Sequence, residues 1–219
     1  TLLMNINTRK WDTGMLKLLN IPIAMLPNIC SSSEHYGFIE NDNENSVGGI
    51  NELIGVDITG ILGDQQAALF GQTCFNQGET KVTYGTGAFL MMNIGSNVKL
   101  SNHGLITTVA YQLGPDAEPC YALEGSVAYC GSLIQWLRDN LNFIKDAADS
   151  EKLALSVNDN GGVYFVPAFA GLFAPYWRTE ARGIITGLTA YNTAAHITRA
   201  ALEAAAFQIF SGRVQSSKY

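Results

Sequence analysis

Charged residues are scarce in this 219-residue chain: they make up 15% of it, whereas hydrophobic residues make up 47%. That balance excludes an intrinsically disordered chain and predicts a folded protein with a buried core. Basic residues are especially few, 13 against 19 acidic ones, and the net charge is −6. A nucleic-acid or anionic-membrane partner needs clustered Lys and Arg, so the sequence predicts neither. A small phosphorylated ligand is still compatible, because it needs only local hydrogen-bond donors.

Cysteine and histidine are also rare and scattered. The four cysteines lie far apart without a C-x-x-C pair, and the three histidines are equally dispersed. This spacing is typical of reduced, mostly buried thiols, and it argues against a disulfide framework or a zinc site. No apolar run approaches the roughly 18 residues of a membrane-spanning helix. We therefore expect a cytoplasmic protein without a transmembrane segment, and association with the surface of mitochondria is left open.

Strand-like and helix-like segments alternate along the chain, which predicts an α/β architecture. Strands are predicted at residues 2–6, 58–62, 81–84, 88–94, 105–113, 120–123 and 163–166. Helices are predicted to begin at Asp12, near Gln65 and after Thr193, and to span residues 131–141. Within the last of these segments, Trp136 is expected to lie in the core. The polar residues 40–49 predict a solvated loop.

A carboxylate stands where an apolar strand meets a predicted helix. Asp64 follows Gly63 at the strand end and precedes Gln65 and Gln66. A carboxylate placed there can take a proton from an alcohol. It can equally cap the helix by accepting N–H groups of the first turn. The residues by themselves leave these two interpretations about even.

Further along the chain, a glycine-flanked threonine joins two predicted strands. Gly85 and Gly87 on either side of Thr86 let a backbone approach a phosphate without steric obstruction. Taken alone, an ordinary hairpin turn is the better explanation of this short motif. Combined with a base at Asp64, however, it suggests phosphoryl transfer from a nucleotide to a hydroxyl group.

Two other features leave a choice between binding and packing. Gly125 and Gly131 flank a short segment before a predicted helix, and they either place the helix start against a nucleotide or permit close packing. Lys81 and Arg182 could contact phosphate, but a solvated or ion-paired role is the stronger expectation for each.

Short motifs follow one another in a fixed order along the chain. They are GDQQAALFGQ at 63–72, TYGTG at 83–87, NHGL at 102–105, ALEGSV at 122–127, QWLRD at 135–139, VPAF at 166–169, APYW at 174–177 and GIITGL at 183–188. In this order they resemble the FGGY carbohydrate kinases, and among these the members that phosphorylate glycerol. The resemblance extends to about Gln208, and the ordered set is far more specific than any one motif.

The resemblance implies the actin/hexokinase-like (ribonuclease H-like) ATPase fold, in which two domains enclose the active site. Residues 1–71 would be the C-terminal part of the N-terminal domain, and residues 80–219 would be an incomplete C-terminal domain. The implied reaction is ATP-dependent phosphorylation of glycerol to glycerol 3-phosphate, in glycerol catabolism, by a homo-oligomer when full length. A kinase for another polyol or a ketose is one alternative, and a truncated product without catalytic activity is another.

The resemblance also assigns roles to residues. It implies that Asp64 is the catalytic base and lies near Mg²⁺, that Gln65 helps to hold glycerol, and that Phe89 lines the small polyol pocket. Asp64 would contact the substrate as well.

The implied nucleotide contacts are Thr86, Gly131 and Gln135, which would bind ATP. The phosphate loop of the family and the segment that closes on adenosine have no counterpart in the chain, so the resemblance implies an incomplete kinase with little activity by itself. Residues 209–219 are expected to depart from the family's continuing helix.

Overall fold

The computed structural model describes residues 2–40 and 51–216, in which helices and strands alternate as predicted. The helices are α1 Thr13–Leu18, α2 Asp64–Gly71, α3 Gly131–Asp139, α4 Asp149–Leu155 and α5 Ala194–Ser216. The strands are β1 Met4–Asn5, β2 Lys10–Trp11, β3 Ser33–Phe38, β4 Asp57–Gly60, β5 Thr80–Tyr84, β6 Ala88–Gly95, β7 Ile106–Tyr111, β8 Cys120–Val127, β9 Tyr164–Val166 and β10 Ile184–Thr186. Within these two ranges, none of the helices has both the length and the apolar character that crossing a bilayer requires.

Most predicted elements are present, but their ends differ from the prediction. Helix α1 begins directly after Asp12, whose carboxylate caps it by accepting the N–H of Met15 at 3.0 Å. The strand predicted at 2–6 shrinks to the two residues of β1, which pair with β2. The elements β2, β3, α4 and β10 were not predicted. The loop predicted at 40–49 lies, apart from Glu40, outside the described residues.

A four-stranded antiparallel sheet in the order β5-β6-β8-β7 is the framework on which the other elements pack. Strands β5 and β6 form the predicted hairpin, with Lys81 opposite Met91 and Thr83 opposite Phe89. On the next strand, Glu124 lies opposite Met91. Directly paired residues of an antiparallel sheet project to the same face. One face of the sheet therefore carries a lysine, a threonine, an aromatic ring and a carboxylate side by side.

Helix α2 packs against this same face. Leu69 is completely buried and contacts a cluster made by the sheet residues Met91, Ala110, Tyr111 and Ala122 together with Cys74. The ring of Phe70 meets the ring of Tyr111 edge to face, with centroids 5.5 Å apart. This packing fixes the start of α2 over the polar end of the sheet face.

A second core joins α3, α5 and β9. Its fully buried members are Leu133, Leu137, Val163 and Ala201. The amphipathic helix predicted at 131–141 is thus confirmed, although it ends at Asp139. The ring of Trp136 packs on Phe165 and Phe169 with centroid distances of 5.9 and 4.9 Å, which confirms its predicted place in the core.

Two sequence predictions about the helices are wrong. Helix α2 is capped by Gly63 in extended conformation, and Asp64 is its first helical residue. Asp64 therefore does not cap the helix, although its carboxylate accepts the N–H of Gln65 at 2.8 Å. The departure expected at residues 209–219 is wrong for 209–216, because α5 continues to Ser216. A helix already anchored in a core extends readily, since each added residue contributes a new hydrogen bond.

Tyr111 provides a test of the packing between α2 and the sheet. Burial, aided by a hydrogen bond with Cys120, raises the pKa of Tyr111 from 10.0 to about 12. Folding favours the neutral phenol, so this contribution to stability is complete below pH 10 and is lost as the pH rises towards 12. We expect a spectrophotometric titration to show a late tyrosine component that Tyr111→Phe makes smaller. Burial also raises the pKa of Tyr36, so some late component is expected to remain. A late component of equal size in the variant would contradict this packing.

Candidate functional site

The first part of the site is the beginning of α2. The chain leaves β4 at Gly60, turns through Gly63 and enters the helix at Asp64. The side chain of Asp64 is exposed, and one carboxylate oxygen accepts the N–H of the next residue, Gln65. The carboxylate thus has a fixed position and still has lone pairs free to accept a proton from a bound hydroxyl group.

The second part is a hydrogen-bonded link from α2 to the sheet. Lys81, on β5, donates from Nζ to Oε1 of Gln65 in a close contact and to Oγ1 of Thr83 at 2.8 Å. Gln65 and Lys81 are separated by sixteen residues in sequence. The link therefore ties the start of helix α2 to the strand that leads into the predicted phosphate turn.

Lys81 is buried, with 5% of its surface exposed. Burial lowers the pKa of its ammonium group, and the negative charges of Asp64 and Glu124 oppose that effect. None of the ion pairs found among residues 2–40 and 51–216 includes Lys81. The expectation that Lys81 is solvated or ion-paired is therefore wrong, because its ammonium group is held by neutral oxygen atoms.

The third part is the turn between β5 and β6, which rests on the start of α3. The carbonyl oxygen of Thr86 accepts N–H groups of Cys130 and Ser132 at 3.0 and 3.1 Å, and that of Gly85 accepts the N–H of Gly131 at 2.9 Å. A Cβ atom on Gly131 would lie 2.6 Å from that Gly85 oxygen. Glycine at this position is required by the close approach of the two backbones.

This contact changes how the glycines near α3 are interpreted. The first N–H groups of a helix often bind anions, but those of Gly131 and Ser132 are already paired with the turn. Gly125 lies inside β8 and not at the helix start. A nucleotide near Gly131 would therefore meet the exposed turn at Thr86 and the surface of α3, not free N–H groups of the helix.

The predicted residues lie on three neighbouring parts of the chain: the start of α2, the β5–β6 hairpin and helix α3. Asp64 and Gln65 begin α2, and Phe89 projects from the sheet face on which α2 packs, because it is paired with Thr83. Thr86 is exposed in the turn that follows β5, and Phe89 is the second residue of β6 after that turn. Gln135 is exposed on α3, one helical turn after Gly131.

Comparison with known families decides the assignment. The N-terminal domain of the FGGY family of carbohydrate kinases matches residues 1–71, and the C-terminal domain of that family matches residues 80–216. The chain belongs to the FGGY kinases. Its fold is accordingly the actin/hexokinase-like ATPase fold of this family, which confirms the predicted fold class.

Among curated relatives of this FGGY chain, glycerol kinase 1 of Streptomyces avermitilis is 57% identical over 209 residues, which cover 95% of this chain and 40% of the relative. The glycerol kinase of Clavibacter michiganensis is 57% identical over 208 residues, covering 95% of this chain and 39% of the relative. The chain thus spans about 40% of the length of the curated relatives it matches.

Solved structures show the same fold. The crystal structure of Plasmodium falciparum glycerol kinase with ADP matches all of this chain and 42% of its own, with a TM-score of 0.88 and 42% identity. A ligand-bound xylulose kinase from Lactobacillus acidophilus matches with a TM-score of 0.77 at 23% identity, covering 97% of this chain and 42% of its own. At that identity the second likeness concerns the FGGY fold alone.

The described part of this FGGY chain offers few side chains that are grouped closely enough to bind a metal ion. No group of three or more His, Cys, Asp or Glu side chains that could hold a metal is found in the part of the chain that the structure describes. Mg²⁺, however, is usually bound by one or two carboxylates together with substrate phosphates and water. The exposed carboxylate of Asp64 fits that pattern.

Sequence reasoning considered Lys81 only as a phosphate contact or as a solvated or ion-paired side chain, and it missed the set of polar residues beneath α2 to which Lys81 belongs. Lys81 and Thr83 alternate on β5, and Glu124 occupies the same sheet face on β8. The available signal was the repeated polar residue at every second position of an otherwise apolar strand. That signal places the side chains on one face but does not identify their partners.

Proposed function

We propose that this chain is part of an FGGY kinase that transfers the terminal phosphoryl group of ATP to glycerol, giving glycerol 3-phosphate and ADP. The observation that carries the proposal is the link at the start of α2, where Asp64 precedes Gln65. Lys81 and Thr83 connect Gln65 to the sheet face that carries Phe89. The 57% identity to curated glycerol kinases supports glycerol as the substrate.

In this proposal Asp64 is the general base. Its carboxylate accepts the proton of the attacking hydroxyl group as the new O–P bond forms. Gln65 binds a second hydroxyl group of the substrate, and Phe89 covers the carbon skeleton with its ring. A small triol needs few such contacts, which fits a pocket formed by one carboxylate, one amide and one aromatic ring.

The nucleotide lies along the turn and helix α3, where Thr86, Gly131 and Gln135 contact it. Anchoring of the turn by α3 supports this assignment, because a preorganised turn holds its exposed atoms in place at no cost during the reaction. Asp64 would also be the protein ligand of Mg²⁺, which neutralises charge that develops on the transferred phosphoryl group.

The division of the chain at residues 71–80 is part of the same proposal, with 1–71 from the N-terminal domain and 80–219 from the C-terminal domain. In the complete protein the active site lies between these domains, and the complete protein is a cytoplasmic homo-oligomer.

Substrate choice is tested by steady-state kinetics on a complete kinase chain that contains this segment. We expect kcat/KM for glycerol to exceed that for xylulose by at least about a hundredfold. A polar pocket discriminates strongly against a substrate that leaves the polar groups of the pocket unpaired. A preference for xylulose or another ketose would instead assign the chain to a different FGGY substrate.

The isolated 219-residue chain is expected to have almost no kinase activity. It spans about 40% of its relatives, and phosphoryl transfer depends on groups placed all around the phosphates. ADP release should be at least about a thousandfold slower than for a complete chain, given the usual contribution of such positioning and electrostatic groups. Robust turnover that requires both ATP and glycerol would contradict this prediction, and calorimetric titration with each ligand would show whether binding survives.

A further inference from the structure

The strongest unassigned feature is the buried ammonium group of Lys81. Among residues 2–40 and 52–212, for which burial is described, Lys81 is the only Lys, Arg, Asp or Glu that is buried. Lysine is almost never fully buried unless its charge is paired, because removing an ammonium group from water is costly. A purely structural role at this position would be served better by an apolar side chain of similar size. The contacts of the Lys81 ammonium group are therefore expected to explain why a charge is kept at this position.

Those contacts fix the orientation of Gln65. An ammonium group has donors and no acceptor, so the atom of the Gln65 amide that faces Lys81 must be the carbonyl oxygen Oε1. The amide nitrogen Nε2 is then turned away from Lys81, and no hydrogen bond from it is found within residues 2–40 and 51–216. Thr83 holds the ammonium group from the other side at 2.8 Å, so Lys81 cannot readily move and release the amide.

We propose that Lys81 is a positioning residue that makes Gln65 a hydrogen-bond donor to the substrate. This inference rests on the proposed function, since it concerns the same site. Asp64 can only accept hydrogen bonds when ionised, and the adjacent Gln65 is set to donate. Side by side, they match two hydroxyl groups of a polyol: one gives its proton to Asp64, and the oxygen of the other accepts from Nε2 of Gln65.

The main test is the variant Lys81→Met in a complete kinase chain that contains this segment. We expect KM for glycerol to rise by about tenfold, the usual effect of losing one well-placed hydrogen bond to a substrate. KM for ATP should stay within about twofold, because the turn at Thr86 is held by α3 and not by Lys81. Lys145→Met, which removes an exposed lysine, is the control and should leave both constants unchanged. Equal increases of both KM values, or no change in either, would overturn the proposal.

A double-mutant cycle separates positioning from general stability. If Lys81 acts through Gln65, adding Lys81→Met to Gln65→Leu should change KM for glycerol by less than about twofold. Losses that multiply in full would show that Lys81 acts independently of Gln65 and would overturn the proposal.

A second variant covers the case in which Lys81→Met does not fold. Thr83→Val keeps the shape of the side chain and removes the second anchor of the ammonium group. It should raise KM for glycerol by about threefold, a fraction of the full effect, since one hydrogen bond of the link remains. An unchanged KM would count against the proposal.

These results can be told apart from failure of the proposed function itself. If the unmodified complete chain does not phosphorylate glycerol, the choice of substrate is wrong. The same comparison of KM values is then made with the polyol or ketose that the chain does phosphorylate, and an unchanged value for that substrate in Lys81→Met would overturn the positioning role.

Discussion

Replacing Asp64 with Asn in a complete kinase chain that contains this segment is expected to lower kcat by about 10²–10⁴-fold, the usual contribution of a general base. The amide has nearly the same shape but cannot accept the hydroxyl proton. KM for ATP should change little, because the turn that contacts the nucleotide is anchored separately by α3 and the amide oxygen of Asn can still coordinate Mg²⁺. Steady-state kinetics with both substrates varied provides the measurement.

A matched control for this variant is Asp57→Asn. Asp57 is also exposed, lies on the nearby strand β4, and pairs with His35 at the surface. It has no part in the proposed chemistry, so its kcat should equal that of the unmodified protein. Asp64→Asn with an unchanged kcat would remove Asp64 as the base, whereas an equal loss in both variants would indicate a general effect of charge.

The second large effect is expected from Gly131→Ala. The new Cβ atom would lie 2.6 Å from the backbone oxygen of Gly85, and no flexible side chain is there to move aside. Forcing extra volume into such a contact should lower the free energy of unfolding by about 1–3 kcal/mol. Displacement of the turn should also raise KM for ATP by about tenfold or more, since a small misplacement of binding groups has a large kinetic cost.

Gly71→Ala is the control for this substitution. Gly71 is the last residue of α2, and a Cβ atom there would meet nothing within 4 Å. Alanine favours the helix over glycine, so the free energy of unfolding should stay equal or rise by up to about 1 kcal/mol. Chemical denaturation of both variants measures the difference. A Gly131→Ala protein with unaltered stability and unaltered KM for ATP would contradict the proposed role of the close approach.

Local pattern was sufficient to predict the elements that bury a regular apolar face. Helix α3 was predicted because Leu133 and Leu137 recur at helical spacing, and both are fully buried. The β5–β6 hairpin was predicted because glycines interrupt two apolar runs. In each case the signal and the structure lie within one continuous segment.

Elements that depend on distant partners were missed. Strand β3 has the sequence SEHYGF, without a clear alternation, and forms by pairing with β4 around an irregularity between Ser33 and Gly37. Helix α4 has seven residues, too few for periodicity to distinguish it from a loop. Strand β3 and helix α4 are both stabilised by contacts with residues that are distant in sequence, and a single segment of sequence does not contain those residues.

The sequence by itself determined the family, the α/β fold and the residues Asp64, Gln65 and Thr86 as candidates, because ordered motifs and apolar periodicity are properties of the chain. The tertiary structure decided what those residues can do. It placed Lys81 beneath Gln65 and thereby set the direction of the amide, and it used N–H groups at the start of α3 to hold the turn. Hydrogen bonds are directional and link residues far apart in sequence, so their partners are defined only when the helix lies on the sheet.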